Sequence, residues 1–268
     1  MDEKTIERAR VVLSVPGSES VILRRDIVYL RSDAGEQTLD IRYPPVSERH
    51  RQIPAVLFVA GYPDAQLEAQ IGKKPKETAP LVSWAELIAA SGLAAVTYTN
   101  CDPASDARAV LEHVLRNDPV LGIDPDRLGL FACSGNVPNA LAMLMGPHGE
   151  RLKCAVLCYG FMLDEEGDET VAAAARTWGF VNPCAGNSVD ALPAGVPLFV
   201  ARAGQDGIPG INASIDRFAA LALAANKPVT LMNVADAPHG FDLFHDEESS
   251  REAIRCMLTF MRFHLLGK

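Results

Sequence analysis

LGIDPDRLGLFACSGNVPNALAML, residues 121–144, is the segment from which the architecture of this chain is easiest to infer. Its apolar run is typical of a buried strand and ends at Cys133, and a helix-forming sequence begins directly after Ser134 and Gly135. A strand that turns at once into a helix around a serine is the setting of a nucleophile elbow. The small residues Ala132 and Gly135 would let strand and helix approach closely. The alternative is that Ser134 only caps the helix, because serine is a favoured N-cap residue.

Apolar runs on both sides of this segment predict an α/β fold. Residues 25–31 and 37–43 are β-prone and flank the turn-forming SDAGE, which indicates an antiparallel pair. Six runs with little alternation follow, as strands buried on both faces require: 54–60, 93–99, 127–133, 153–159, 196–202 and 228–234. Helix candidates lie between them at 80–91, 104–117, 136–146, 211–226 and 249–266. The pattern predicts an eight-stranded, mostly parallel sheet whose first strands are antiparallel, with helices on both faces.

One connection is too long for a plain crossover. After the sixth predicted strand, residues 161–195 combine acidic residues, a short Ala-rich helix, Trp178 and Phe180. Long insertions in compact domains are usually lids or flexible segments. We favour a cap over a pocket, because the two aromatic side chains would otherwise have little to pack against. The expected organisation is a single domain over residues 1–268, with a short cap or lid insertion at 161–195.

Composition narrows the classes of partner. The 268 residues carry a formal net charge of −9 and no basic cluster, which argues against a nucleic-acid-binding protein. No apolar run approaches the roughly 18 residues of a membrane span, and MDEKTIERAR does not resemble a secretory signal. The six cysteines are scattered, which is typical of reduced core thiols and not of a zinc site. We therefore expect a cytoplasmic protein without membrane partners; the oligomeric state is not indicated.

The stretch IDPDRLGLFACSGN resembles a segment of the α/β-hydrolase superfamily, specifically of its dienelactone-hydrolase-like esterase branch. In that branch an Asp-Pro-x-Arg sequence leads into the elbow strand. The chain departs from the G-x-S-x-G pattern, because Ala132 replaces the first glycine and Asn136 the last. Asn136 could direct a polar side chain toward the site. Dienelactone hydrolases carry a cysteine where this chain has Ser134, whereas Cys133 is expected to pack within the sheet.

The resemblance implies a base and an acid in the chain order serine, aspartate, histidine. His239 follows the last predicted strand, and the sequence HGF at 239–241 resembles the catalytic-histidine segment of the family. His245 is its main competitor. The sequence GQD at 204–206 resembles the acid segment, one residue shorter, which makes Asp206 the expected partner of the imidazole. Asp236 is a rival whose position near His239 suits a turn instead.

The oxyanion hole is expected in the turn after the first parallel strand. There LFVAGYPDAQ, residues 57–66, supplies Gly61 and Tyr62 before Pro63, which has no N–H. We expect the N–H groups of Tyr62 and Gly135 to hold the substrate oxygen. Asp64 could orient the loop or contact a substrate, and Gly61 is a further candidate contact. An ordinary strand-ending turn is compatible with the same residues.

These residues predict a carboxylic ester hydrolase that forms an acyl-enzyme on Ser134, with His239 as base and Asp206 as the supporting acid. No metal or organic cofactor is expected, since neither G-x-G-x-x-G nor a P-loop occurs. The favoured partner is a small-molecule ester or lactone. The alternatives are an acyltransferase or C–C bond hydrolase with the same triad, and a non-catalytic small-molecule-binding protein. Candidate substrate-contacting side chains are Phe161, Trp178 and Phe180, which would suit a short-to-medium or aromatic acyl group if they do not simply pack within the cap.

Overall fold

The computed structural model of this chain describes residues 7–32, 35–45, 52–164 and 168–267. Within these ranges eight strands form one sheet: β1 Ile22–Ser32, β2 Gly35–Tyr43, β3 Ile53–Phe58, β4 Ala94–Tyr98, β5 Ile123–Cys133, β6 Leu152–Cys158, β7 Leu198–Ala203 and β8 Val229–Val234. Their spatial order is β1-β2-β4-β3-β5-β6-β7-β8. β2 is antiparallel to β1 and β4, and every other neighbouring pair is parallel. The predicted eight-stranded, mostly parallel sheet is confirmed; residues 33 and 34 of the predicted SDAGE turn lie outside the described residues.

Nine α-helices occur in the described ranges. They are α1 Asp64–Ile71, α2 Ala79–Ala90, α3 Pro103–Arg116, α4 Asp118–Leu121, α5 Val137–Leu144, α6 Thr170–Trp178, α7 Ile211–Ala224, α8 Phe241–Phe244 and α9 Glu248–Leu266. The five helix candidates between the strands correspond to α2, α3, α5, α7 and α9, with ends that differ by one or two residues. The sequence pattern does not indicate α1, whose eight residues contain only two large apolar side chains, Leu67 and Ile71.

Helices cover both faces of the sheet, which explains why its central strands are apolar without alternation. On one face Val110 of α3, Leu141 of α5 and Phe218 of α7 belong to a single buried cluster with the strands. On the other face Ile88 of α2 and Met257 of α9 belong to a second cluster. All five of these side chains are at most 1% exposed. The two cores fix the sheet from both sides, so that the ends of its strands form a rigid edge.

The long connection after β6 packs along that edge. Its first residues, Phe161, Met162 and Leu163, are buried, and α6 follows. The carboxylate of Asp164 accepts hydrogen bonds from the N–H groups of the first turn of α6, at 2.7 and 2.8 Å. Further along, the N–H of Val181 donates to the carbonyl of Gly61 at 2.9 Å. The connection is thus attached to the turn after β3; residues 165–167 lie outside the described ranges.

Two further observations concern membranes and metal ions. In the described parts of the chain, no helix combines the length and apolar character needed to cross a membrane. Nor do three or more histidine, cysteine, aspartate or glutamate side chains in those parts come together in a cluster that could hold a metal ion.

Candidate active site

The turn between β5 and α5 holds Ser134 in a left-handed backbone conformation, with φ at 56°. Such a conformation costs a non-glycine residue roughly 1–3 kcal/mol and persists only where the surroundings enforce it. A 3-10 turn, Ser134–Asn136, leads directly into α5, so that strand, turn and helix are in close contact. A Cβ added at Gly160, just after β6, would lie 2.6 Å from the carbonyl oxygen of Ser134. The strand-turn-helix setting inferred from the sequence is therefore what the chain adopts here.

Ser134, His239 and Asp206 form a continuous row of hydrogen bonds. Ser134 Oγ lies 2.9 Å from His239 Nε2, and His239 Nδ1 lies 2.7 Å from Asp206 Oδ2. The side chain of Asp206 is fully buried, whereas 26% of the His239 side chain is exposed. The second carboxylate oxygen of Asp206 accepts the N–H of Ile208 at 2.9 Å. A carboxylate held in this way keeps the proton on Nδ1 and leaves Nε2 free to accept a proton from the serine.

The loops that carry the acid and the histidine are attached to each other. Asp206 follows β7 and His239 follows β8, and these strands are parallel neighbours. The N–H of Gln205 donates to the carbonyl of Ala237 at 2.9 Å. A Cβ at Gly204 would lie 2.6 Å from the Cα of Ala235, so that only glycine allows the two loops to pack this closely. The backbone itself therefore fixes the distance between the carboxylate and the imidazole.

Asn136 links the elbow to the turn after β3. Its side-chain oxygen accepts the N–H of Gly61 at 2.6 Å, and its side-chain nitrogen donates to the carbonyl of Cys133 at 2.9 Å. A Cβ at Gly61 would lie 2.7 Å from the Cα of Asn136. The residue that replaces the last glycine of the elbow pattern thus takes part in a contact that a glycine could not make.

That contact bears on the expected oxyanion donors. Because Asn136 already accepts the N–H of Gly61, and because Pro63 has none, the N–H of Tyr62 is the one that this short stretch can offer to a ligand. Gly135, the residue after Ser134, is the other predicted donor. The assignment of both N–H groups to a substrate oxygen stays a prediction.

A small cavity of about 80 Å³ opens beside Ser134. Its walls are mostly aromatic, with Phe161 and Phe180 stacked at 5.8 Å between ring centroids and Tyr62 edge-on to Phe180 at 6.1 Å. Trp178, at the end of α6, is 52% exposed and lies at the rim. The residues that line the cavity are Tyr62, Ser134, Gly135, Phe161, Trp178, Phe180 and Ile208. The three aromatic residues predicted to contact a substrate therefore all line the same cavity as Ser134.

Sequence reasoning missed the support beneath the imidazole. The ring of Tyr159 meets His239 edge-on at 4.9 Å between centroids. The Tyr159 hydroxyl donates to Asp242 Oδ1, and the indole N–H of Trp84 donates to Asp242 Oδ2, both at 2.5 Å. Burial raises the pKa of the Asp242 carboxyl, while these two donors lower it. The sequence offers one signal for this arrangement: an acidic residue directly after the HGF segment, in an otherwise apolar setting.

The competing residues lie elsewhere. His245 Nδ1 is 2.9 Å from Ser250 Oγ, at the start of α9. Asp236 is exposed and accepts the hydroxyl of Ser249 at 3.0 Å. Cys133 packs against the second core cluster, as expected for a sheet residue. None of these three takes part in the row of hydrogen bonds around Ser134.

Asp64 is separate from the lining of the cavity. Its side chain is buried, and Asn100 Nδ2 donates to Asp64 Oδ1 at 2.7 Å. Burial raises the pKa of this carboxyl to about 7. Of the two roles considered for Asp64, these contacts favour orientation of the loop over substrate contact.

Comparison with known proteins supports the architecture. No model of a protein family matches the sequence, and no curated protein does so either. Among solved structures, this chain is similar to a bacterial heroin esterase, at 17% identity and a TM-score of 0.69 over 95% of this chain and 87% of that one. It is also similar to the esterase Est2 of the planctomycete Thermogutta terrifontis, at 18% identity and 0.68 over 92% and 93%. A dienelactone hydrolase-like protein from Klebsiella pneumoniae matches at 17% identity and 0.63 over 90% and 98%. The chain has the α/β-hydrolase fold.

Proposed function

We propose that this chain is a serine hydrolase that cleaves a carboxylic ester or lactone. The observation that carries the proposal is the row of hydrogen bonds from buried Asp206 through His239 to Ser134, at 2.7 and 2.9 Å. Ser134 has a strained backbone and lines an aromatic cavity, which gives this row a hydroxyl beside a place for an acyl group. The similar solved structures include proteins described as esterases, which agrees with this reaction class.

In the first half of the reaction, Ser134 Oγ attacks the carbonyl carbon while His239 Nε2 takes the hydroxyl proton. The carboxylate of Asp206 stabilises the imidazolium that results and keeps the ring in one orientation. Negative charge then develops on the carbonyl oxygen, for which the N–H groups of Tyr62 and Gly135 are the proposed donors. Collapse of this intermediate breaks the ester bond, and the leaving oxygen takes the proton from Nε2.

In the second half, water replaces the alcohol. His239 Nε2 removes a proton from the water as it attacks the acyl-enzyme, and returns that proton to Ser134 Oγ when the acid leaves. A lactone follows the same route, except that its leaving oxygen stays attached to the acyl group. The side chain of His239 is partly exposed, which gives water access to the imidazole.

The test is hydrolysis of p-nitrophenyl acetate by the wild type and by Ser134→Ala. We expect a burst of p-nitrophenol from the wild type and a loss of about 10³-fold or more in the variant, because removing the nucleophile leaves only binding and oxyanion stabilisation. Ser91→Ala is the matched control, since Ser91 directly follows α2 and its hydroxyl donates to the carbonyl of Ile88. Equal rates in the wild type and in Ser134→Ala would remove Ser134 from the reaction. A screen of esters and lactones with the same pair of proteins then defines the substrate.

A further inference from the structure

The hydroxyl of Tyr62 is an unusual polar group in the cavity beside Ser134. A Cβ at Gly135 would overlap the Tyr62 hydroxyl and would lie 2.9 Å from the Phe180 ring. The hydroxyl therefore rests on the backbone of the residue that follows the nucleophile, in a space that any side chain at position 135 would fill. Only glycine at that position allows the phenol to come so close to the backbone of residue 135.

Among the described residues this hydroxyl has no hydrogen-bond partner, and Tyr62 lines the cavity. Burial raises the pKa of the Tyr62 phenol to about 12, so that it keeps its proton at neutral pH and remains a donor. The surrounding walls are aromatic and aliphatic, from Phe161, Phe180 and Ile208. Before a substrate binds, water can hydrogen-bond to the hydroxyl; a bound acyl group displaces that water.

The effect of displacing this water depends on whether the acyl group carries a hydrogen-bond acceptor for the hydroxyl. A purely hydrocarbon chain would leave the hydroxyl unpaired in an apolar setting, which is unfavourable. A site that hydrogen-bonds to a polar substrate group discriminates far more strongly than one that only fills space. The cavity of about 80 Å³ is also well below the roughly 300–1,000 Å³ of pockets that enclose larger ligands, which favours a short acyl group.

We propose that Tyr62 selects short acyl groups that carry an ether or hydroxyl oxygen on the carbon next to the scissile carbonyl. This inference rests on the proposed function, because it places the acyl group on Ser134 with its carbonyl oxygen toward the N–H of Gly135. The substituent on the adjacent carbon is then the part of the acyl group that reaches the hydroxyl lying on Gly135. Tyr62 acts there as a specificity-determining donor, separate from the role of its backbone N–H.

The experiment compares two esters in two proteins. p-Nitrophenyl methoxyacetate and p-nitrophenyl butyrate have acyl chains of equal length and differ only by an ether oxygen in place of a CH₂ group. We measure kcat/KM for both esters with the wild type and with Tyr62→Phe, and divide the methoxyacetate-to-butyrate ratio of the wild type by that of the variant. Intrinsic reactivity cancels in this quotient, and so does any inactive fraction of either preparation.

We expect the quotient to be roughly tenfold, the value of one ordinary hydrogen bond. Tyr43→Phe is the matched control, because it removes a phenol hydroxyl that donates to the carbonyl of Leu121 away from the site, and it should give a quotient near unity. A quotient near unity for Tyr62→Phe, with both esters slowed alike or not at all, overturns the specificity role of the Tyr62 hydroxyl. The proposed function as an ester hydrolase is unaffected by that result. Absence of Ser134-dependent hydrolysis of either ester by the wild type overturns the proposed function and this inference together.

A measurement on the wild type alone covers the case in which Tyr62→Phe does not fold. The methoxyacetate-to-butyrate ratio of the enzyme is compared with the ratio for hydrolysis of the same esters by hydroxide. We expect the enzyme ratio to exceed the hydroxide ratio by roughly tenfold. Equal ratios would mean that the cavity does not distinguish the ether oxygen from a CH₂ group, which contradicts the proposal.

Discussion

The side-chain oxygen of Asn136 accepts the N–H of Gly61 at 2.6 Å, which joins the turn that carries Ser134 to the turn that follows β3. In the G-x-S-x-G pattern a glycine stands at this position, and a glycine has no side chain with which to make the contact. Asn136, which departs from the pattern, therefore makes a structural contact that the usual glycine would lack. A hydrogen bond, in addition to close packing, therefore fixes the relative position of the two segments that are expected to hold the oxyanion.

We expect Asn136→Ala to lower kcat about tenfold and to reduce the free energy of unfolding by roughly 1–3 kcal/mol. The N–H of Gly61 loses its acceptor, and an unsatisfied, partly buried donor carries a cost of that size. A less firmly held loop also places its N–H groups less accurately around the developing charge. Steady-state kinetics and urea unfolding measure the two effects.

Asn187→Ala is the control for this substitution, because Asn187 is exposed and its side-chain nitrogen donates to the sulfur of Met145 at 3.4 Å, away from the elbow. Unchanged kcat in Asn136→Ala, together with lower stability, would show that the link is structural and has no part in the reaction.

The fold was predictable because its signals are local. Each parallel strand is a compact apolar run, and the serine, aspartate and histidine each follow such a run, so that their order along the chain places them at one edge of the sheet. Parallel strands end at the same edge, and the proximity of Ser134 and His239 follows although 105 residues separate them. No atomic distance was needed for that inference.

The contacts that support the candidate site were not predictable, because they are not local in the sequence. The bond between Asn136 and Gly61 joins residues 75 positions apart, and that between Trp84 and Asp242 joins residues 158 positions apart. Each of these two bonds depends on how side chains of different elements pack. The types of the residues do not by themselves indicate which residues pair. The helix α1 escaped prediction because its sequence is largely polar, so that hydrophobic periodicity carries almost no signal there.

We expect Cys133→Ala to keep kcat within about threefold of the wild type. Cys133 packs against the second core cluster, and its backbone carbonyl, which accepts the side-chain N–H of Asn136, is unaffected by the change. The reacting group in the proposed mechanism is the hydroxyl of Ser134, which Cys133→Ala leaves in place. Kinetics with p-nitrophenyl acetate and a test of inactivation by iodoacetamide measure this. A loss of 10³-fold in Cys133→Ala would identify the thiol as the nucleophile instead.

Asp64 should make the stability of the protein depend on pH. Burial raises the pKa of this carboxyl to about 7, whereas its ordinary value is 3.8. The folded protein therefore retains a proton between about pH 4 and pH 7 that the unfolded chain releases, and stability falls as the pH rises through that range. Relative to Asp64→Asn, we expect the wild type to lose roughly 2–3 kcal/mol of unfolding free energy between pH 5 and pH 8. Urea unfolding at both pH values measures the difference.

The control for Asp64 is Asp126→Asn, because the side chain of Asp126 is 83% exposed. Its stability relative to the wild type should not change between the two pH values. A constant difference between the wild type and Asp64→Asn over the same range would contradict a buried carboxyl that titrates near neutral pH.

The hydroxyl of Tyr159 should matter for stability more than for turnover. It donates to the buried carboxylate of Asp242 at 2.5 Å, and burial together with the charge of Asp242 raises the pKa of Tyr159, so that the phenol keeps its proton. Tyr159→Phe leaves a buried charge with one donor fewer, for which we expect a loss of roughly 2–3 kcal/mol of unfolding free energy. The phenylalanine ring can still meet His239 edge-on, so that kcat should stay within about threefold of the wild type.

Tyr29→Phe provides the matched comparison, because the Tyr29 hydroxyl is also buried but donates to a neutral carbonyl, that of Thr99, at 2.6 Å. A hydrogen bond to a neutral acceptor contributes less, and we expect a loss of about 1 kcal/mol. Tyr159→Ala, which removes the ring as well, should reduce kcat because the imidazole of His239 then loses the surface that orients it. Equal losses of stability in the two phenylalanine variants would mean that the Asp242 carboxyl is neutral in the folded protein. Equal kcat values for Tyr159→Phe and Tyr159→Ala would mean that the edge-on ring has no part in holding His239 toward Ser134.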